Sequence, residues 1–285
     1  MSIGVKFRKN TSNAFVYAVL AVFGVLWVLP IFYLVYTSLR VTPSTGIINQ
    51  LFPEGLRLGL GNFRRLFQET MFFRWLLNTL VVAISSCAVT TLFILMVSYA
   101  LSRMRFKLRR PIMNVLLVLG MFPGFMSMIA IYFILKAMNL TNSLLALVLV
   151  YSGSAALSYY ICKGFFDTVP KAMEEAAILD GASQGMIFLK IILPLAKPII
   201  VYTVLTSFIS PWCDFIFVNT IISDRAKYTV SLGLYKMINA EKNSFNDNFT
   251  VFCAGAFVVG SIIVTLFMSM QRYYVEGVTS GSVKG

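Results

Sequence analysis

The sequence predicts an all-α protein that crosses a membrane several times, and three observations carry that prediction. Only 12% of the 285 residues are charged, about half the share found in soluble domains. Hydrophobic residues make up 58% of the chain, and its mean hydropathy is +0.81. The apolar residues stand in continuous runs rather than in alternation, which selects helices over barrel strands, because a helix satisfies its own backbone in lipid.

A helix needs roughly 20 apolar residues to cross a hydrocarbon core of about 30 Å. Six segments meet that length, at about 14–39, 76–101, 111–135, 143–166, 195–222 and 249–270. The chain is therefore divided into an N-terminal tail (1–13), a six-helix transmembrane body (14–270) and a C-terminal tail (271–285). The first span is no cleavable signal peptide, since its apolar run is too long and continues past Pro30. Orientation follows from basic residues in short flanking segments. Lys6, Arg8 and Lys9 precede span 1; Arg103, Arg105, Lys107, Arg109 and Arg110 crowd the connection 102–110. With the 163–197 connection and the last tail, one side carries more than half of the 24 Lys and Arg residues. Both termini are expected on that cytoplasmic side, and the net charge of +13 is read as a membrane-surface feature rather than a nucleic-acid footprint.

Segment 40–75 is rich in Pro and Gly and ends in the amphipathic Phe63-Arg64-Arg65-Leu66-Phe67. It reads as an external loop and a short interfacial helix leading to Asn78-Thr79. The polar segment 223–248 reads as a second, solvated external loop. Between spans 4 and 5 the sequence Asp167 to Gly181 predicts a helix of about ten residues, capped by Asp167 or Thr168, with Pro170 in its first turn and Gly181 at its end. A second short helix, about 182–191, is expected to stop before Pro194 and Pro198. The result is a helix–turn–helix on the cytoplasmic surface, within a segment spanning 167–194.

Several chemistries are excluded. The chain has no histidine and no G-x-x-x-x-G-K-[ST] loop, so the usual metal and general-base signatures and a phosphate-cradling P-loop are missing. Cys87, Cys162, Cys213 and Cys253 lie in or beside apolar runs and read as small hydrophobes. No catalytic residue, metal site or cofactor is expected, and the chain is read as a transport component, not an enzyme.

On physics alone, Glu174 and Glu175 offset a helix dipole and the alanines favour helix, or they form a small-residue docking face with charge for a basic partner. The spacing decides between these. Glu175-Ala176-Ala177, three residues, Gly181, nine residues, then Ile191-x-Leu193-Pro194 resembles the EAA signature of ABC importer permeases. Asp180-Gly181-Ala182-Ser183 and the ending Gly277 to Gly285 resemble the carbohydrate-type members, nearest the maltose/maltodextrin type with a glycine-rich tail. Trp212-Cys213-Asp214-Phe215 is similar to an aromatic–Asn–acid–Phe stretch in span 5 of that family, with Cys213 in place of Asn.

The resemblance implies a type I ABC importer permease fold in a bacterial inner membrane, with a coupling helix that docks into a cleft on a cytoplasmic ATPase. Glu175 would meet a basic group there, Ala176 and Ala177 would sit in the cleft, Asp180 flanks it, and Gly181 makes the bend. Thr279, Ser280, Gly281 and Lys284 of the tail would form a second ATPase contact. It also implies a second homologous permease, two ATPase copies and an extracytoplasmic solute-binding protein as partners, with a sugar such as a maltodextrin as cargo, moved by alternating access. Tyr151, Ser152, Ser207, Trp212 and Asp214 are the candidate substrate-path residues. Asp214 is marked out as the one acid inside a predicted span, where a charge costs about 2.5–3.5 kcal/mol; Ser and Thr at the other positions serve equally well to pack helices. Two rival readings are an importer of another solute, such as phosphate, an amino acid or glycerol phosphate, and a secondary transporter, which would want paired charges within the spans.

Overall fold

Why the apolar runs break where they do is the main lesson of the fold. The computed structural model describes residues 3–41, 57–122, 124–240 and 244–280. In chain order its helices are α1 (Ile3–Leu39), α2 (Gly61–Glu69), α3 (Phe72–Arg103), α4 (Arg109–Met121), α5 (Gly124–Ala137), α6 (Leu144–Gly153) and α7 (Ala156–Thr168). They continue with α8 (Ala172–Leu179), α9 (Gln184–Leu195), α10 (Lys197–Cys213), α11 (Ile216–Ile221), α12 (Val230–Asn239) and α13 (Ser244–Ser280). The chain divides into two compact units, Met1–Thr70 with Lys236–Gly260, and Met71–Tyr235 with Ser261–Gly285.

Three helices hold an uninterrupted span: Val16–Leu39, Phe72–Arg103 and Asp247–Arg272. Further spans are available only as bent helix pairs: α4 with α5, α6 with α7 at 43°, and α9 with α10 at 82°. The sequence reading took spans 3 and 4 as continuous, and their breaks fall on residues that weaken a helix. Gly120 and Gly124 flank the first, and Gly153 ends α6 in the second. Span 5, expected as one segment over 195–222, is corrected most. It begins after the bend at Ala196 and is interrupted at Asp214, whose φ of −87° and ψ of 114° take it out of the helix. Pro211 in the last turn of α10 has no N–H to extend the ladder. The 182–191 helix likewise does not stop before Pro194. A π-helical stretch, Phe188–Ile192, lets the Leu193 N–H reach the Phe188 carbonyl, and the helix carries on through the proline.

In the first unit, the end of α1 is buried and tied down. Thr37, Ser38 and Arg40 are almost without exposure. The Asn62 amide donates to the Ser38 and Arg40 carbonyls at 3.0 and 2.7 Å, and Thr250 of α13 donates to Asn62 at 3.0 Å. Phe63 meets Phe257 edge-on at 6.1 Å. The amphipathic α2 is thus the expected short helix, with Leu66 buried and Arg64 and Arg65 bonded along its exposed side to Gln68 and Glu69.

The second unit is centred on α3. One end of it is locked by the connection 222–229: Trp75 Nε1 donates to the Arg225 carbonyl at 3.0 Å, and the Asn78 amide donates to those of Ala226 and Tyr228, both at 2.9 Å. Thr79 Oγ1 then accepts from the Val230 N–H at 2.8 Å, which starts α12. The segment read as a solvated loop therefore contains a helix. Val230, Leu232, Gly233 and Leu234 are buried, and Gly233 presses its backbone on the Trp75 ring so closely that a Cβ there would overlap it. Asn142, at a left-handed φ of 57°, accepts the Ser223 and Asp224 N–H groups on its side chain, a conformation asparagine tolerates.

Candidate functional site

Two places gather the chemistry, both in the second unit: the short helix α8 and a cavity at the helix breaks. Glu174 and Glu175 lie in the first turn of α8, where acids offset the helix dipole. The expected side-chain cap is not there. Lys171 occupies the N-cap without a side-chain bond, because Asp167 is engaged elsewhere: its Oδ1 accepts from Ser102 Oγ at 2.6 Å, and its Oδ2 pairs with Lys163 at 2.5 Å. The end of α8 is as expected. Gly181 takes a φ of +82°, open to glycine at no steric cost. Its N–H meets the Ile178 carbonyl at 3.0 Å, and the Ala182 N–H meets that of Ala177 at 2.9 Å, the paired bonds of a Schellman turn. Ser183 then caps α9 by accepting the Met186 N–H.

A residue that the sequence reading counted only as an orienting charge holds α8 in place. Arg103, the last residue of α3, donates to the Phe166 and Val169 carbonyls at 2.8 and 2.7 Å. Its Nε lies 2.8 Å from Glu174 Oε1, with side-chain exposures of only 5% and 12%. This contact is an approach of charges rather than an aligned hydrogen bond. Behind it, Ala177 packs in a core with Tyr99, Phe166, Val169, Ile187 and Ile192. The sequence signal was Arg103 at the join of a span and a basic loop, but nothing local named Glu174 as its partner.

The outward face of α8 carries Glu175, Ala176 and Asp180, all exposed, with Met173 at 42%, Ile178 at 49% and Leu179 at 88% exposure. Of the five expected docking residues, four face outward or make the turn. Ala177 is turned in, at 9% exposure, so it backs the helix rather than facing a partner. Leu179, the most exposed of the three large apolar residues there, was not among the residues expected on this face, although a leucine two places before the glycine is visible in the sequence. Thr279 and Ser280 lie on the last turn of α13, so helix replaces the expected tail to that point; Gly281 and Lys284 fall outside the described residues.

The cavity has a volume of about 660 Å³ and is lined by residues of α4, α5, α6, α7, α10 and α11, among them Gly120, Gly124, Ser127, Ser154, Ser210 and Leu157. Tyr151 and Asp214 also line it and are bonded to one another: the Tyr151 hydroxyl donates to Asp214 Oδ2 at 3.0 Å. The other carboxylate oxygen accepts the Phe217 N–H at 3.0 Å, capping α11. Asp214 therefore sits at a helix break rather than within a helix, where a free N–H, a hydroxyl and an open cavity meet its charge. Three other candidate path residues lie away from the cavity lining. Trp212 is buried against Phe208, and its carbonyl accepts from Ser231. Ser152 Oγ is buried with no hydrogen-bond partner, and Ser207 is half-buried. Thr203 and Thr206 donate to carbonyls of their own helix. Gly120 packs against Leu157, where a Cβ would stand 3.4 Å away, whereas nothing lies within 4 Å of a Cβ at Gly124. Of these two glycines, only Gly120 lies at a close helix contact.

Among the described residues no group of His, Cys, Asp and Glu is placed to hold a metal. The fold is a helical membrane body with broken spans, a mainly apolar cavity at the breaks and a braced surface helix, and its family and relatives make it a transport component rather than an enzyme. Residues 92–278 match the family described as the inner membrane component of binding-protein-dependent transport systems, and the chain belongs to that family. It is 30% identical, over all of both chains, to the maltodextrin transport system permease of Streptococcus pneumoniae. It is 29% identical, again end to end, to the galactooligosaccharides transport system permease of Bacillus subtilis. The maltodextrin permease of the same bacterium is 32% identical over 79% of this chain and 81% of its own. A crystal structure of a bacterial ABC transporter involved in importing the acidic polysaccharide alginate contains a chain that matches with a TM-score of 0.76, covering 94% of this chain and 98% of that one at 22% identity, which shows a shared fold. Permeases of this family serve ABC importers beside a second permease, an ATPase and a solute-binding protein.

Proposed function

We propose that this chain is a permease subunit of an ATP-driven sugar importer, with an oligosaccharide as cargo and α8 as the helix that an ATPase grips. It works with a second, homologous permease, two copies of the ATPase and an external solute-binding protein. Both termini and α8 face the cytoplasm, in keeping with the basic cluster Arg103 to Arg110 beside α8. Relatives named for maltodextrin and galactooligosaccharide transport support the substrate class.

The observation that carries the reading is the build of α8. Its inner face is fixed by the Arg103–Glu174 pair and the Ala177 core, while its outer face leaves Met173, Ala176 and Leu179 uncovered. A helix that transmits force must be stiff behind and adhesive in front, and exposed apolar residues of this kind mark contact with another protein. ATP binding closes the ATPase pair, α8 moves as a lever with α3 and α9, and the broken spans re-pack from inward-facing to outward-facing. Thr279, Ser280, Gly281 and Lys284 form the second ATPase contact. In the path, Tyr151 and Asp214 offer hydroxyl-matching groups to the sugar, and Ser152, Ser207 and Trp212 stand behind that lining.

Uptake driven by the binding protein, measured over a panel of oligosaccharides in cells making Glu175→Lys or Leu179→Asp, tests the docking role. We expect loss of more than tenfold in uptake and of ATPase co-purification, with membrane insertion unchanged. Wild-type uptake by both variants would overturn the assignment of α8.

A further inference from the structure

A second cavity, of about 450 Å³, lies where α4 and α7 meet, and the proposed transport mechanism makes no use of it. It is lined by Arg109, Arg110, Met113 and Asn114 of α4 and by Tyr160 and Lys163 of α7. Three cations thus face one space. Lys163 is paired with Asp167 at 2.5 Å, and Arg109 lends its field to the same carboxylate. Among the described residues neither arginine forms an ion pair within 4 Å. Three cations against one carboxylate leave the pocket positive, and the tyrosine hydroxyl and the asparagine amide add neutral donors.

Its height in the fold is informative. Arg109 and Arg110 open the first turn of α4, and the apolar run begins at Pro111. The pocket is therefore level with the membrane–water boundary, whichever way the chain is oriented. Above it the same face of α4, at spacings of three and four residues from Asn114, carries Leu117, Val118 and Met121; Val118 is 64% and Met121 76% exposed. On α7, Ile161 is likewise uncovered. A charged cup beneath an open apolar wall has the shape of one amphiphile.

We propose that this pocket binds the headgroup of an anionic phospholipid, with Arg109 and Arg110 on the phosphodiester, Asn114 and Tyr160 on headgroup hydroxyls, and an acyl chain along Leu117, Val118 and Met121. Guanidinium groups suit the planar, bidentate recognition of phosphate oxygens, and basic pockets between spans at this level hold acidic lipid headgroups. A free phosphate ion would use the cup but leave the apolar wall bare. The site also lies next to the braced helix: Lys163 shares Asp167 with Ser102, the neighbour of Arg103.

The test is lipid binding by the assembled transporter in mild detergent, read by native mass spectrometry and by thermal shift against added phosphatidylglycerol, phosphatidylcholine or inorganic phosphate. Phosphatidylglycerol is expected to bind and stabilise, with phosphatidylcholine and millimolar phosphate doing neither. Arg109→Gln with Arg110→Gln should weaken it by about fivefold per cation removed. Arg105→Gln with Lys107→Gln, which removes two exposed charges of the same loop outside the cavity, should leave the affinity unchanged. Where the first pair fails to assemble, Asn114→Leu with Tyr160→Phe serves instead, and a loss of preference for phosphatidylglycerol over phosphatidic acid is expected. Equal binding by wild type and the arginine pair, an equal loss in the control pair, or equal stabilisation by inorganic phosphate would each overturn the proposal.

Discussion

Arg103 shows how much one side chain at a helix end can govern. Its two carbonyl bonds and its approach to Glu174 are nearly free of solvent. Removing one partner of a buried pair strands the other, at about 3–5 kcal/mol. Arg103→Met is therefore expected to lower the thermal midpoint of the purified protein and to reduce uptake, while Arg103→Met combined with Glu174→Met recovers most of the midpoint. A double variant no more stable than the single one would show that the pair is not coupled. At the other site, Asp214 caps α11 and accepts from Tyr151. Asp214→Ala should cost about 1 kcal/mol as a lost cap, whereas Tyr151→Phe removes only the hydroxyl that faces the cavity. A changed KM for uptake in Tyr151→Phe, with the thermal midpoint held, is the result expected of a path residue. An unchanged KM would leave that hydroxyl a structural role alone. Neither arrangement could be read from neighbouring positions, since Tyr151 and Asp214 are 63 residues apart.

At the scale of elements, what reads from sequence is what depends on local pattern. The glycine at the end of α8, the amphipathic α2 and the three unbroken apolar spans depend on runs of adjacent residues, and the structure has them. The breaks in the spans were legible as individual Gly and Pro residues, yet which of them interrupts a helix depends on packing. Pro30 lies inside α1 without ending it, and Pro194 is absorbed by a π-helical stretch. The helix α12 was hidden because it is short and lies in an otherwise polar segment, and part of its burial comes from Trp75, more than 150 positions away. That contact carries its own prediction. Gly233→Ala drives a methyl group into the Trp75 ring, and overpacking of this kind costs about 1–3 kcal/mol. The variant should melt earlier than wild type, and Trp75→Phe in the same chain should recover part of the loss. A Gly233→Ala protein as stable as wild type would mean that α12 shifts freely on α3.

At the scale of the whole molecule, the proposed function gives this chain a path and a lever and leaves the engine to another subunit. It has no P-loop, and its family is that of membrane components served by a binding protein. On that proposal movement enters through a surface, and α8 is a surface element both braced behind and uncovered in front. The surface of the span Val16–Leu39 adds a second reason for partners. Val16 to Phe32 of α1 expose apolar side chains around the helix, and such a face needs lipid or protein over it. Purified alone and placed in liposomes, this chain is expected to carry no oligosaccharide down or up a gradient. Adding the ATPase without the second permease should restore nothing, because the path would still lack its other wall. Uptake is expected only when both permeases, the ATPase, the binding protein and ATP are present. Sugar flux through vesicles that hold this chain by itself would mean that the broken spans open unaided. The lever assigned to α8 would then have nothing to drive.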